Sequence, residues 1–384
     1  MMKRRLIAML CSCLLLSGCA AAEPATTLTL IALNVGKGDC LLLGSGATLY
    51  LIDAGLPENW GMVSSALKQM NVTRLDGVII THTDADHAGG AWPLAMSGIE
   101  IGGWYAPKYY TDVKESKHPV KQAAELRGEE VTWLQAGDEL PLEGGALKVI
   151  GPRSLNEEAE NCNSLVLLAE GGGGRMLLAG DMEIPEEEEL LRAGVIPRCD
   201  VLKVGNHGEN DATSEALVRQ VKPRAAIIST NTVAEPDTPS DRVLSLLKRN
   251  GATVYQTQNA GVGVMAAIKA GRLEMNTLSS GELPPRNQAV LLSAKSAKQD
   301  AISLANHGSE AADISGWYIL SERGNQLFVF KNTVLQPGQK ITVTSLSSDE
   351  TGDLTWPEKK IWHKSKEDKA KLYDVYGRLI AELD

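Results

Sequence analysis

From residue 28 onward the chain is built of short apolar runs, each closed by glycine or polar turn residues. LTLIALNVG and ATLYLIDAG predict two buried strands, and LDGVIITHT predicts a third that leads into a polar stretch, THTDADHAGG. Before that third strand, GMVSSALKQM places Met62 or Val63, Ala66, Leu67 and Met70 on one face of a helix. GALKVIGP, NSLVLLAE, GRMLLAGDM, CDVLKVGNHG and RAAIISTN continue as strands, and SDRVLSLLKRNGATVYQT reads as helix, glycine stop and strand. PEEEELLRAG is a helix with Pro185 in its first turn and Gly194 as its stop, and its four glutamates read as charge at the positive end of the helix. Helices and strands alternate while hairpin-like runs recur, which predicts an α/β layered sandwich with helices outside.

The pattern breaks at LSSGELPPRNQ, where glycine, proline and polar residues show no periodicity. ISLANHG, ISGWYIL, NQLFVF, QKITVTS and KAKLYDVYG then follow as short strands at regular intervals, predicting a small all-β sandwich. A chain of 384 residues divides naturally into two globular units, here residues 28–278 and 289–384 joined by a linker at 279–288. The start of the chain stands apart. MMKRRLIAMLCSCLLLSGCA has the basic start, apolar run and small-residue exit of a secretory signal. Its end, Leu16-Ser17-Gly18-Cys19, resembles the lipobox of bacterial lipoproteins. That resemblance implies a lipoprotein signal over residues 1–19, a tether over 20–27, and an extracytoplasmic protein held to a bacterial membrane by lipid on Cys19, or else secreted.

A net charge of -10 argues against gripping nucleic acid by bulk charge, so an anionic substrate must be held locally. With only two phenylalanines, aliphatic cores are expected. Cys40, Cys162 and Cys199 lie outside the signal; three thiols make no disulfide framework and read as buried free cysteines.

Imidazole and carboxylate side chains bind divalent cations, and His82, Asp84, Asp86 and His87 crowd into six positions where a tight loop turns all four toward one point. A calcium loop of the EF-hand type would need an oxygen ligand at position 88 and a glutamate at 95, where Ala88 and Ala95 stand. His207 sits in a similar glycine turn after a strand, and Asp181 stands between a strand and a helix, so these strand ends converge on one rim of the sandwich. Asp53 in LIDAG is placed to orient the metal loop from behind. WYAPKYYTDVKESKHPVK mixes Trp104, Tyr105, Tyr109 and Tyr110 with Lys108, Lys114, Lys117 and Lys121. It reads either as a substrate surface, with Tyr109 and Tyr110 stacking on bases and Lys108 and Lys114 meeting phosphates, or as a surface loop with packed aromatics and solvated lysines.

THTDADHAGG resembles the metal motif of the metallo-β-lactamase superfamily, in the form of its ComEC competence-protein branch, which has Asp where most members have a second His, matching Asp84. LNVGKGDCLLL, LIDAG, NCNSLVLL, LLAGDM and LKVGNHG recur in the order of that branch, over residues 28–270. The resemblance implies an αβ/βα sandwich and a hydrolase holding one or two divalent cations, zinc or manganese. His82 and Asp84 would serve the first, Asp86, His87 and His207 the second, with Asp181 bridging; Asp86, Asp181 and His207 would carry catalysis. There are two departures. Where the superfamily often has His near NCNSLVLL only Asn161 or Asn163 is available, and the turn usually written His-His-Gly-Ser reads Asn206-His207-Gly208-Glu209. Carboxylate in place of imidazole shifts preference toward manganese, and the second position is expected to bind more tightly than the first. Divalent cations lower the pKa of bound water to about 7, and two of them about 3.5–4 Å apart hold the attacking and leaving oxygens of a phosphodiester. The expected activity is therefore cleavage of DNA by hydroxide from metal-activated water.

From Ala301 onward, ISGWYILSERGNQLFVF, LQPGQKITV and IWHKSKEDKAKLYDVYGRLI resemble the lamin-tail domain, an immunoglobulin-like sandwich. This implies a binding or positioning module with Trp317 and Trp362 in its core and with DNA, envelope material or another protein as its partner. Two rival functions stand beside the nuclease: a hydrolase of a smaller ester or phosphodiester, and a non-catalytic surface-binding lipoprotein.

Overall fold

The apolar runs of the first unit assemble into two facing sheets. In the computed structural model, which describes residues 26–384, an eight-stranded sheet runs in the order Arg272–Leu278, Gly263–Lys269, Leu28–Leu33, Leu41–Ser45, Thr48–Ile52, Gly77–Ile79, Trp104–Pro107 and Val131–Leu134. A seven-stranded sheet runs Thr253–Gln256, Ala225–Ile228, Val201–Lys203, Gly174–Leu178, Val166–Gly171, Gly145–Gly151 and Glu139–Leu142. Each sheet joins an antiparallel half to a parallel half. The lipidation expected at Cys19 lies outside the described residues.

The first strand shows why these runs are continuously apolar. Leu28, Leu30 and Ala32 face the opposite sheet, while Ile31 and Leu33 face the helix layer, so both sides are buried. Helices Trp60–Gln69, Ala91–Met96 and Pro119–Leu126 cover the outer face of the first sheet, and Ile184–Arg192, Glu215–Val221 and Asp241–Arg249 cover that of the second. The result is an αβ/βα sandwich. Helix Trp60–Gln69 buries Val63, Ala66 and Leu67, and Met62 faces outward.

The C-terminal unit is all β. One four-stranded sheet contains Val290–Ser296, Ala301–Asn306, Lys340–Ser345 and Leu354–Trp356; the other contains Gln326–Val329, Tyr318–Ser321, Ala370–Tyr373 and Leu379–Leu383. It packs on helix Trp60–Gln69, where the Ser64 hydroxyl donates to the Val375 carbonyl at 3.0 Å. Gly61 must be glycine there, because a Cβ would lie 2.9 Å from the Gly377 Cα.

Two sequence expectations do not hold throughout. The aliphatic-core expectation fails in the C-terminal unit, where both phenylalanines, Phe328 and Phe330, pack with Trp356 and Trp362, and Trp317 is buried beside them. The glutamates of helix Ile184–Arg192 are not all helix-end charge. Glu187 is buried and accepts the amide protons of Thr213 and Ser214, tying a distant loop to the helix, and burial pushes the Glu186 carboxyl well up. Cys40, Cys162 and Cys199 are free and buried. Among the described residues no helix is long and apolar enough to cross a membrane.

Candidate metal centre

Parallel strands deliver the polar residues to one rim. Thr48–Ile52 and Gly77–Ile79 run side by side and end at Asp53 and at the THTDADHAGG loop; Gly174–Leu178 and Val201–Lys203 do the same in the second sheet and lead to Asp181 and His207. Asp84 opens the short helix Ala85–Ala88, its carbonyl accepting the amides of His87 and Ala88. The closing glycines answer to space: a Cβ on Gly90 would lie 2.1 Å from the Ala54 carbonyl oxygen, and one on Gly89 would lie 2.3 Å from Pro57. Asp53, Asn206 and His207 hold left-handed backbone with φ of 59°, 42° and 49°, a conformation that persists in non-glycine residues only where the surroundings impose it.

Hydrogen bonds fix the imidazole tautomers. Asp53, fully buried, accepts from the Thr81 amide at 2.7 Å, the Thr81 hydroxyl at 2.9 Å and Nδ1 of His87 at 2.8 Å. With its proton committed to Asp53, the Thr81 hydroxyl must accept from Nδ1 of His82, 3.1 Å away. Nδ1 of His207 donates to the Ser229 carbonyl at 3.1 Å. All three rings therefore carry a proton on Nδ1 and turn Nε2 inward.

The inward atoms meet. Nε2 of His87 and Nε2 of His207 are 3.2 Å apart, and Oδ2 of Asp181 lies 3.2 Å from the first and 3.3 Å from the second. Oδ2 of Asp86 is 3.2 Å from Nε2 of His207 and 3.9 Å from that of His87. Ligand atoms about 2.0–2.1 Å from a tetrahedral cation sit about 3.3 Å from one another, so this spacing fits a bound divalent ion. His82 and Asp84 form a looser group: Nε2 of His82, buried with no hydrogen-bond partner, is 3.7 Å from Oδ2 of Asp84 and 3.9 Å from Oδ2 of Asp181. Oδ1 of Asp181 is likewise buried and unpartnered.

Electrostatics favours positive charge here. Burial would depress the imidazolium forms, yet Asp181 and its neighbouring carboxylates outweigh it, raising His207 to about 9 and His87 well above the usual histidine range. Burial likewise pushes against ionised Asp181 and Asp86, and the two imidazoles hold both below the carboxylate range.

Other expected residues stand outside the cluster. Asn163 spends its amide within its own loop, accepting from the Asn156 amide and donating to the Asn156 carbonyl and Glu160, while Asn161 donates to Glu183. From that segment it is Ser164 that reaches the cluster, its hydroxyl accepting the Asp181 amide at 3.2 Å. In the aromatic and basic stretch, Trp104 is core and donates to Glu129, Tyr105 packs edge-on against Tyr50, and Lys121 pairs with Glu115. Tyr110 stacks on Trp133, and Tyr109 lies beside the exposed Lys108. The loop borders the metal motif through a 2.6 Å bond from the Thr83 hydroxyl to Asp112, with Lys114 exposed two residues on.

Residues not singled out from sequence complete the centre. Asp39 and Lys203 form a buried ion pair at 2.8 Å, and burial would raise the Asp39 carboxyl but Lys203 and the imidazoles hold it low. Lys37 bridges Glu209 at 2.9 Å and Glu235 at 2.6 Å across the rim. The available signal was a lone lysine closing the apolar strand Val201–Lys203.

Residues 33–232, more than half the chain, match the Metallo-beta-lactamase superfamily. This chain belongs to that superfamily. Residues 285–384 match the Lamin Tail Domain. ComE operon protein 3 of Bacillus subtilis (strain 168) is 30% identical over 248 residues, covering 60% of this chain and 32% of that protein. Recombination protein 2 of Haemophilus influenzae is 29% identical over 234 residues, covering 60% and 27%, and Competence protein ComA of Neisseria gonorrhoeae is 26% identical over 251 residues, covering 63% and 33%. The superfamily member thus spans about a third of the length of these relatives.

Proposed function

We propose that this chain is an extracytoplasmic, metal-dependent phosphodiesterase acting on DNA. The observation that carries the metal reading is the convergence of four inward donor atoms, Nε2 of His87, Nε2 of His207, Oδ2 of Asp181 and Oδ2 of Asp86, at 3.2–3.9 Å, the spacing of ligands around one divalent ion, with Nδ1 of both rings already committed to Asp53 and Ser229. Asp86, His87, Asp181 and His207 hold the tighter cation, and His82 and Asp84 with Asp181 a looser one of zinc or manganese type. Bound divalent cations activate water and neutralise charge on a phosphoryl oxygen.

The chain's own groups do the rest. Asp53 and the Ser229 carbonyl orient the imidazoles, Asp86 and Asp181 supply charged oxygens, and Lys108, Tyr109, Tyr110 and Lys114 form the substrate-facing loop, with Tyr110 as its packed wall. Relatives named for competence and recombination support nucleic acid as the substrate class. The lamin-tail unit serves as a binding module, and lipid on Cys19 tethers the protein to a membrane.

The test is incubation with plasmid, single-stranded DNA and a small phosphodiester reporter in manganese or zinc, beside His87→Ala and a chelator. DNA cleavage that disappears in both controls is expected. Cleavage of the reporter alone would assign the site to a smaller substrate, and DNA cleavage surviving both controls would place the activity elsewhere.

A further inference from the structure

The two halves of the sandwich contribute ligands separately, Asp86 and His87 from the first sheet and Asp181 and His207 from the second, so something must hold the halves in register at the cluster. Across this gap runs a pair of charges that no step above uses. Lys203 ends the strand Val201–Lys203, four residues before His207, and is fully buried. Its ammonium lies 2.8 Å from Oδ2 of Asp39 and donates to the Val204 carbonyl at 2.9 Å. Asp39 belongs to the first half and is 1% exposed, neither carboxylate oxygen has a hydrogen bond, and Lys203 is its nearest ion-pair partner.

The backbone of Asp39 is bolted to the ligand loops. Its amide donates to the carbonyl of Asp86 at 3.1 Å, and its carbonyl accepts the amide of Gly55 at 2.8 Å, two residues after Asp53. The preceding Gly38 presses on the same point: with φ of +125°, a Cβ there would meet the Asp86 carbonyl oxygen at 2.5 Å. On the other side, Oδ1 of Asp39 stands 3.9 Å from Nδ1 of His207, behind the ring whose Nε2 faces the cluster.

We propose that the Lys203–Asp39 ion pair is a positioning device of the metal centre, clamping the His207 turn of one sheet to the Asp86 loop of the other and setting the spacing of their ligand atoms. A buried pair is poor as a stabiliser, because desolvation offsets its attraction, and apolar residues of similar size often serve stability as well or better. It nevertheless links the two halves at close range, with the ammonium 2.8 Å from Oδ2: shortening or neutralising either partner uncouples the Asp86 loop from the strand that leads to His207, and removing Lys203 leaves an unpaired carboxylate beside that ring.

The inference rests on the reading of the cluster as a metal centre, and its test reads metal affinity directly. Manganese or zinc is titrated in chelator buffers into the full chain and into Lys203→Met, Asp39→Asn, Lys203→Arg and the apolar pair Asp39→Leu/Lys203→Met, with melting temperatures measured in chelator. Lys203→Met and Asp39→Asn are expected to bind 10- to 100-fold more weakly, the range for loss of a group that orients a ligand, and Lys203→Arg to recover part of that loss. The apolar pair is expected to recover the melting temperature without recovering affinity, which separates positioning from bulk stability; it also carries the test if Lys203→Met does not fold. Wild-type affinity in any folded variant lacking the ion pair overturns the proposal alone. A wild-type chain that takes up neither cation overturns the metal reading and this proposal with it.

Discussion

Replacing Asp53 probes the tautomer argument directly. The side chain is fully buried and accepts three hydrogen bonds, from the Thr81 amide, the Thr81 hydroxyl and Nδ1 of His87. Asparagine tolerates the left-handed backbone at φ 59° about as well as aspartate, so Asp53→Asn changes chemistry more than conformation. An NH2 in the place of Oδ2 faces both the Thr81 hydroxyl and Nδ1–H of His87, and one in the place of Oδ1 faces the Thr81 amide, so either orientation sets donor against donor. Loss of such an orienting partner lowers metal affinity 10- to 100-fold, about 1.4–2.7 kcal/mol.

Asp53→Ala goes further, stripping acceptors from the Thr81 amide, the Thr81 hydroxyl and the His87 ring in a place closed to water. At about 1–3 kcal/mol for each orphaned donor the cost is about 3–9 kcal/mol, a large share of the about 5–15 kcal/mol that holds a domain folded. Chelator-buffered metal titration reads the first effect, and urea unfolding in chelator reads the second. Asp53→Asn with wild-type metal affinity would refute the assignment of the His87 lone pair and the fit that depends on it.

Three further outcomes are expected. His118, buried between Tyr110 and Trp133, has its imidazole pushed down to about 4 by burial, so the unfolded chain binds a proton that the folded chain refuses between about pH 6.5 and 4. Stability then falls as pH drops through that window, by at most about 3 kcal/mol, and His118→Phe flattens the urea midpoint against pH; an unchanged slope refutes the assignment. Exchanging both Lys108 and Lys114 for glutamine lowers activity on single-stranded DNA and reduces the salt dependence of binding by about 1.4 in logarithmic slope, whereas an unaltered slope removes the lysines from the substrate path. Gly90→Ala forces a Cβ against the Ala54 carbonyl and destabilises the chain by about 1–3 kcal/mol in chemical unfolding, with metal affinity reduced as the motif loop shifts; full stability would mean that the loop has room the geometry denies it.

Much of the first unit was legible because its cues are local. Period and turn residues marked strands such as Leu28–Leu33 and helix Trp60–Gln69, and the crowding of His82, Asp84, Asp86 and His87 announced a ligand loop. Glu186 and Glu187 were misread for the same reason. Their place in the first helical turn explains exposed charge equally well, and only the loop at Thr213 and Ser214, 26 and 27 residues beyond Glu187, turns one of them into a buried acceptor. Asn163 offered a ligand-type side chain in a suggestive segment, but the hydrogen-bonding needs of its own loop claimed it.

Sequence by itself determined which residue types could bind a cation and which strand ends would present them, because spacing and apolar period act over a few residues. Tertiary structure alone decided that His87 and His207, 120 positions apart, would bring Nε2 atoms to 3.2 Å, which ring nitrogen each would turn inward, and that Lys203 would find Asp39 across the sandwich. Those outcomes depend on how two sheets pack face to face, and buried polar atoms take whatever partners that packing brings within reach.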